Sequence, residues 1–382
     1  MRGSTRARRV WSASILVLMA AACREKPAPA PAVNDNAEQG MVSADARDEM
    51  LRRARVWTQP AAAIAAANFS LNPPGRDSFD PSADVACTFT SKKIGGSTPK
   101  FFCTLANGEV IKVKYGEPNG EIPAEIAATR LLNALGFPTD RMYRVHSVQC
   151  RGCPLLPQQA LQCLDKGAPA ALCMEGASDD HVVAFNYAAI ERPFEGRKIE
   201  ASDGQGWSWF ELTRIDPAAG GSPRAHVDAF RLVAMLLAHW DNKGANQRLV
   251  CPAGADRPDG SCTSPLAMIQ DLGATFGPKK MDLHNWTQVA MWADPRACRV
   301  SMKTLPFGGA TFGETQISEA GRQFALSLLR QLSREQLDTL FEAAGVTSFN
   351  HVIGEAHLAR AWTDAFFAKV DQIASAGPCP AS

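Results

Sequence analysis

The apolar positions of this chain follow several distinct rhythms. Val10 to Ala22 is an apolar run of about a dozen residues, too short to span a bilayer. Residues 45–67 read as an alanine- and arginine-rich helix. Between Val85 and Tyr115 come short β-prone pieces, Ala86–Thr90, Phe101–Leu105 and Val110–Tyr115. Turn signals at Gly95-Gly96 and Asn107-Gly108 separate them, the second a strong hairpin dipeptide. The period then becomes helical: Ile122, Ile126, Leu131, Leu132 and Leu135 form a stripe over Glu121–Leu135, closed by Gly136. From about residue 180 helices predominate, over Asp228–His239, Glu319–Ala344 and Glu355–Ala374. The pattern predicts an α+β chain. A small antiparallel β lobe with one main helix occupies 45–145, and a larger, mostly helical lobe occupies 146–382. The residues before them read as a leader, 1–22, and a tether, 23–44.

The N-terminal residues add a setting. Arg2, Arg6, Arg8 and Arg9 precede the apolar run, and Ala20-Ala21-Ala22 ends it just before Cys23, the layout of a secretory signal. The arrangement resembles a bacterial lipobox with Cys23 as the lipidated residue, although Ala20 stands where leucine is usual. The alternative is cleavage after Ala22 and a soluble secreted protein. Pro27, Pro29 and Pro31 make a stiff extended tether. The expected location is the cell envelope, with membrane contact through the lipid anchor only. Eleven cysteines agree with export, because setting Cys23 aside leaves ten, enough for five disulfides. Cys87 and Cys103 flank a hairpin, Cys251 and Cys262 flank a Gly/Pro/Asp loop, and Cys298 and Cys379 stand apart. Cys150, Cys153, Cys163 and Cys173 cluster, either as disulfides or as a zinc site opened by a C-x-x-C. Without the leader's four arginines the chain has 36 basic and 39 acidic residues, a net charge of −3, which is no nucleic-acid footprint.

The chemistry-bearing positions lie in order along the chain. Glycines of Gly95-Gly96-Ser97-Thr98-Pro99-Lys100 allow backbone N–H groups to approach a phosphate. Lys112 and Lys114 share one strand face. Glu125 lies on the following helix. His239-Trp240-Asp241-Asn242-Lys243-Gly244-Ala245-Asn246 places an aspartate five residues before an asparagine, with a lysine between, and Asp271-Leu272-Gly273 supplies a second aspartate at a turn. Phosphoryl transfer to a hydroxyl needs an acid to orient the acceptor and oxygen ligands for a cation on the phosphates.

This order resembles atypical protein-kinase-like phosphotransferases. The run Gly95 to Lys100 is similar to the phosphate loop of HipA-like kinases. Ala124-Glu125-Ile126-Ala127-Ala128, and Asp271-Leu272-Gly273-Ala274-Thr275-Phe276-Gly277, resemble secretory-pathway kinases of the casein-kinase-of-the-Golgi type. The resemblance covers roughly residues 90–280 and implies a bilobal protein-kinase-like fold. It implies ATP or another nucleoside triphosphate with Mg²⁺ or Mn²⁺, and a protein or glycan hydroxyl as acceptor. Gly95, Gly96, Ser97, Thr98 and Lys100 would hold phosphates, and so would Lys114, with Lys112 second to it, positioned by Glu125. Asp241 would orient or deprotonate the acceptor, Lys243 would stabilise the migrating group, and Asn246 and Asp271 would bind metal. His239 would be scaffold. Trp240 replaces the usual arginine, no A-P-E-like segment follows, and the 25-residue step from Asn246 to Asp271 predicts a disulfide-closed insertion. Two alternatives remain on these residues: a pseudokinase-like binding lipoprotein, and nucleotidyl transfer on the same fold. Trp207 and Trp209 read as core, or as a stacking platform for a sugar or base.

Overall fold

The computed structural model describes residues 41–381 apart from 76, 117–118, 179, 203–205, 306–307 and 349–357. The leader, Cys23 and the proline tether lie outside the described residues. The fold already includes Met41–Val42, which pairs in parallel with Glu200–Ala201, so the tether as read from sequence runs slightly too far.

Helix α1 (Ala44–Arg52) is capped by Ser43 and is much shorter than the helix expected over 45–67. The chain beyond it is an extended strap. Arg55 N–H donates to the Pro265 carbonyl, Thr58 N–H to that of Gly136, and the Trp57 indole to that of Leu135, so tertiary hydrogen bonds replace helical ones.

Strands β1 (Asp84–Thr90), β2 (Lys100–Thr104) and β3 (Val110–Tyr115) follow, then helix α2 (Glu121–Leu135), which ends on Gly136 at φ 89°. Next come β4 (Arg141–Arg151), helix α3 (Pro157–Asp165) and β5 (Val182–Arg192). The five strands close a barrel in the order β1-β2-β3-β5-β4. Two features differ from expectation. β1 and β4 pair in parallel, so the barrel is not wholly antiparallel; a helix and two strands intervene, long enough for a crossover. The strands also run on to Arg192, so a division at 145 would cut β4 in two. Alternate residues of the strands fill the barrel, among them Phe101, Ile111, Val113, Val148 and Ile190.

The rest is mainly helical around a small sheet. β6 (Gly196–Lys198), helix α4 (Arg224–Leu236), β7 (Gln247–Pro252) and β8 (Leu266–Ile269) come first, with sheet order β8-β7-β6. Helices α5 (Glu319–Leu329), α6 (Arg334–Ala344) and α7 (Ala359–Ser375) complete it. The helix expected over 319–344 is two helices, because Ser333 and Gln336 form a capping box that starts α6 afresh. Trp207 and Trp209 are buried against Phe230, which favours the core reading. α2 packs on α6 as well as on β4, and so joins the barrel to the helical part.

Disulfides join Cys87–Cys103, Cys150–Cys153, Cys163–Cys173, Cys251–Cys262 and Cys298–Cys379. The four clustered cysteines are therefore two disulfides and not thiolate ligands, which removes the zinc reading. Cys251–Cys262 closes the insertion expected between Asn246 and Asp271. Cys298–Cys379 spans 81 residues, and in the chain-entropy picture such a loop stabilises by about 4 kcal/mol. Replacing both cysteines by serine is expected to lower the denaturant midpoint clearly. The same change at Cys150–Cys153, separated by 3 residues, should cost less than half as much. Equilibrium unfolding of the two variants against the parent checks this.

Candidate active site

Lys112 and Lys114 share a face of β3, but their neighbours distinguish them. Lys114 is buried, with Nζ 2.5 Å from Glu125 Oε1, 3.6 Å from Glu121 Oε2 and 3.7 Å from Glu191 Oε2. Lys112 is partly exposed and pairs with Glu191 at 2.5 Å. The lysine that meets α2 is thus Lys114. Helical spacing of four residues sets Glu121 and Glu125 on one side of α2, so both reach it. Burial opposes the Lys114 charge, yet Glu125, Asp271 and Glu191 outweigh it and hold the ammonium well above its ordinary value. Burial pushes the Glu125 carboxyl well up, against the pull of Lys114.

The loop after α4 is fixed by its own backbone. Ala238 turns with φ 49°, and His239 is fully buried. Burial lowers His239 to about 4, so its ring is neutral, as suits a scaffold residue. Asn242, also fully buried, accepts from the Thr311 and Phe312 N–H groups through Oδ1 at 2.9 and 2.8 Å. Lys243 Nζ lies 2.9 and 2.8 Å from the two Asp241 carboxylate oxygens. Asn246 donates its amide N–H to the Asp241 carbonyl at 2.6 Å, which leaves the amide oxygen as the donor toward a cation. The Asn246 carbonyl accepts from Gln270 N–H at 2.9 Å and Asp271 N–H at 3.4 Å. Despite the 25-residue step in sequence, Asp271 therefore sits directly beside Asn246. Burial opposes the Asp271 charge, but Lys114 and Lys112 hold its carboxyl far below the usual range, with help from Gly273 N–H.

The glycine loop reaches the same place. Gly96 has φ 78°, and the Lys100 ammonium lies 3.0 Å from where a Cβ would stand, so a side chain there would meet both strain and Lys100. Lys100 faces Lys114 across the β2–β3 ladder, and burial together with Lys114 lowers its pKa. Thr98 donates to the Glu121 carboxylate. Gly95 and Ser97 lie exposed in the loop. Gln158 of α3 donates to the Gly96 carbonyl at 3.2 Å, and Asp165 pairs with Lys93 at 3.0 Å, so α3 steadies the loop.

Glu121, Glu191, Asn242 and Lys280 are the residues that sequence reasoning missed. Lys280 pairs with Glu121, which thereby links the glycine loop, α2 and the segment after Asp271. Gly273 makes room for this, since a Cβ there would stand 2.7 Å from Glu121 Cγ. Glu121 carried a signal, four residues before Glu125; Lys280 carried none.

The donor set fits a hard divalent cation. Glu125 Oε2 is buried without a hydrogen-bond partner, and Asp271 and Asn246 supply oxygens nearby. Among the described residues the only close cluster of three potential ligands is Cys87, Cys103 and Cys150, whose sulfurs are in disulfides. A site without its own carboxylate cage suits an ion that shares its coordination with substrate phosphates.

Asp140 borders this region. Burial and then Glu191 raise it to about 7, while Phe194 N–H donates to it at 2.7 Å. A carboxyl raised above its unfolded value near 3.9 gives stability at low pH that is lost as pH rises through about 7. Asp140→Asn keeps the acceptor and removes the titration. Its melting temperature relative to the parent is expected to climb between about pH 4 and 7 and level off above, which a pH series of thermal melts checks.

No protein-family model matches the chain, and no curated protein matches it. Among solved structures it is similar to the Helicobacter pylori proinflammatory kinase CtkA, at 12% identity and a TM-score of 0.38, over 77% of this chain and 95% of that one. It is also similar to a Golgi casein kinase with Mn and ADP bound, at 13% identity and a TM-score of 0.33, over 77% of this chain and 73% of the other. Overlaps of this extent leave the functional reading to the geometry above.

Proposed function

We propose that this protein is an exported kinase-like phosphotransferase, moving a phosphoryl group from a nucleoside triphosphate to a hydroxyl of a protein or glycan. The observation that carries the reading is the buried Lys114–Glu125 pair beside Asp271, whose backbone is joined to Asn246 of the loop bearing Asp241 and Lys243. In this reading Lys114 and Lys100 neutralise the nucleotide phosphates, and Thr98 and the Gly96 turn steady them. Asp271 and Asn246 would hold Mg²⁺ or Mn²⁺, which would supply positive charge to offset that of the phosphates. Asp241 orients the acceptor hydroxyl and takes its proton as the new oxygen–phosphorus bond forms. The bond from the γ-phosphorus to the bridging oxygen breaks, and the nucleoside diphosphate leaves. Lys243, already on the Asp241 carboxylate, stabilises the charge in transit.

The setting rests on the leader, the Cys23 lipobox, which gives a lipid anchor, and the five disulfides. Among the described residues no helix is long and apolar enough to cross a membrane. The test is mass spectrometry of the protein and of envelope protein and glycan fractions after incubation with a triphosphate and Mn²⁺. Gain of a phosphoryl mass that Asp241→Asn abolishes is expected. Gain of a nucleotidyl mass would replace phosphoryl with nucleotidyl transfer.

A further inference from the structure

Five residues of helix turn through about 500°, so Arg130 leaves α2 on a different face from Glu125. On that face is a cavity of about 490 Å³, within the range of small-molecule sites. We propose that this cavity, walled by Arg130, Arg144, His146 and Tyr187, binds an organic anion bearing a phosphate- or carboxylate-type group.

Its fixed positive charge comes from the two arginines, while the His146 ring pairs with the Asp84 carboxylate at 2.7 Å. Arg130 is 5% exposed, donates to the Phe69 carbonyl and Asn72 Oδ1, and keeps an Nε without any hydrogen-bond partner. Arg144 donates to the carbonyls of Glu342 and Ala343 at the end of α6. Asn72 Oδ1 also accepts from Arg144 N–H at 3.0 Å, so one side chain ties the two residues together. Among the described residues no carboxylate pairs with either guanidinium. Burial and then the Arg144 charge lower Arg130 to about 10, and burial also lowers Arg144. Neutral carbonyls satisfy N–H groups but do not cancel the buried Arg130 charge or the half-buried Arg144 charge beside it. Guanidinium forks suit the oxygens of phosphate or carboxylate, which would cancel them.

The mouth of the cavity points the same way. Tyr187 sits within β5 at φ 52°, a conformation unfavourable for an aromatic residue, and its side chain is half exposed. The β4–β5 ladder pairs Val145 with Ala188 and Ser147 with Asn186, and skips His146 and Tyr187 between them. Strain of this kind, kept by its surroundings, clusters at ligand sites. Here it sets a phenol and an imidazole beside the two arginines.

The test is phenylglyoxal labelling of the full chain, mapped by mass spectrometry, with pyrophosphate or citrate as probe. Either probe is expected to slow labelling of Arg144 several-fold and leave exposed Arg257 unchanged. Protection by pyrophosphate alone assigns a phosphate-bearing ligand, by citrate alone a carboxylate, and by both a general polyanion. Asn186→Asp places a carboxylate at the exposed rim and should abolish protection. No slowing at Arg144, equal slowing at Arg257, or undiminished protection in Asn186→Asp overturns the proposal. Pyrophosphate protection that vanishes in Asp271→Asn would trace to the candidate active site and overturn it too.

Discussion

Asp271→Asn is expected to weaken binding of a divalent-metal nucleotide complex by about 100-fold or more, equivalent to roughly 3 kcal/mol, while leaving the protein folded. Asparagine keeps the shape of Asp271 and can still accept from Gly273 N–H, so the turn after β8 should survive. What disappears is the charge, and with it the ligand proposed for the cation. The electrostatics of the site say why the fold should tolerate this. Glu121, Glu125 and Glu191 all surround Lys114, so its charge remains compensated without Asp271. Asp271 also raises the Glu125 and Glu191 carboxyls, and its neutralisation relieves them. A melting temperature close to the parent, with metal-dependent binding lost, is the expected pair of results. A large fall in both would make Asp271 a structural residue.

Lys114→Ala has a different signature. Removing one member of a buried ion pair leaves the other charge stranded and costs about 3 kcal/mol or more. Glu125 escapes part of that cost by taking up a proton, because burial already pushes its carboxyl up. A raised carboxyl stabilises below its unfolded pKa and loses that contribution as pH rises through the folded value. The variant should therefore be least stable relative to the parent at alkaline pH and recover on acidification. Adding Glu125→Gln removes the stranded charge and should restore most of the stability at neutral pH, yet nucleotide binding should stay weak, since the ammonium proposed to bind phosphate is still missing. Recovery of both together would mean that the pair serves the fold alone. Denaturant unfolding and nucleotide titration of the single and double variants separate the cases.

The parts of this arrangement legible in the sequence are those with a local period. The strand face of Lys112 and Lys114 follows from an alternation of two, and the apolar stripe of α2 ended at Gly136 as read. The choice between the two lysines depended on where α2 packs, which no local pattern carries. β5 was absorbed into the helical region because Ala188 to Arg192 are all buried, so the strand lacks the alternation that marks a half-exposed one. Parallel closure of β1 on β4 joins residues some sixty positions apart and leaves no mark between them. The 45–67 segment has helical composition but spends its backbone hydrogen bonds on Gly136 and Pro265. Asp241, Asn246 and Asp271 stood out by spacing and residue type; Lys280 did not, because its role exists only through Glu121 on another element.

The most direct measurement is a calorimetric titration of the purified full chain with a nucleoside triphosphate, with and without Mn²⁺. Binding at one site, dependent on the metal, abolished in Asp271→Asn and weakened in Lys114→Ala, is the predicted result. No binding by the parent protein, or binding undiminished in both variants, would contradict the assignment of Lys114, Glu125, Asn246 and Asp271 to a nucleotide-and-metal centre.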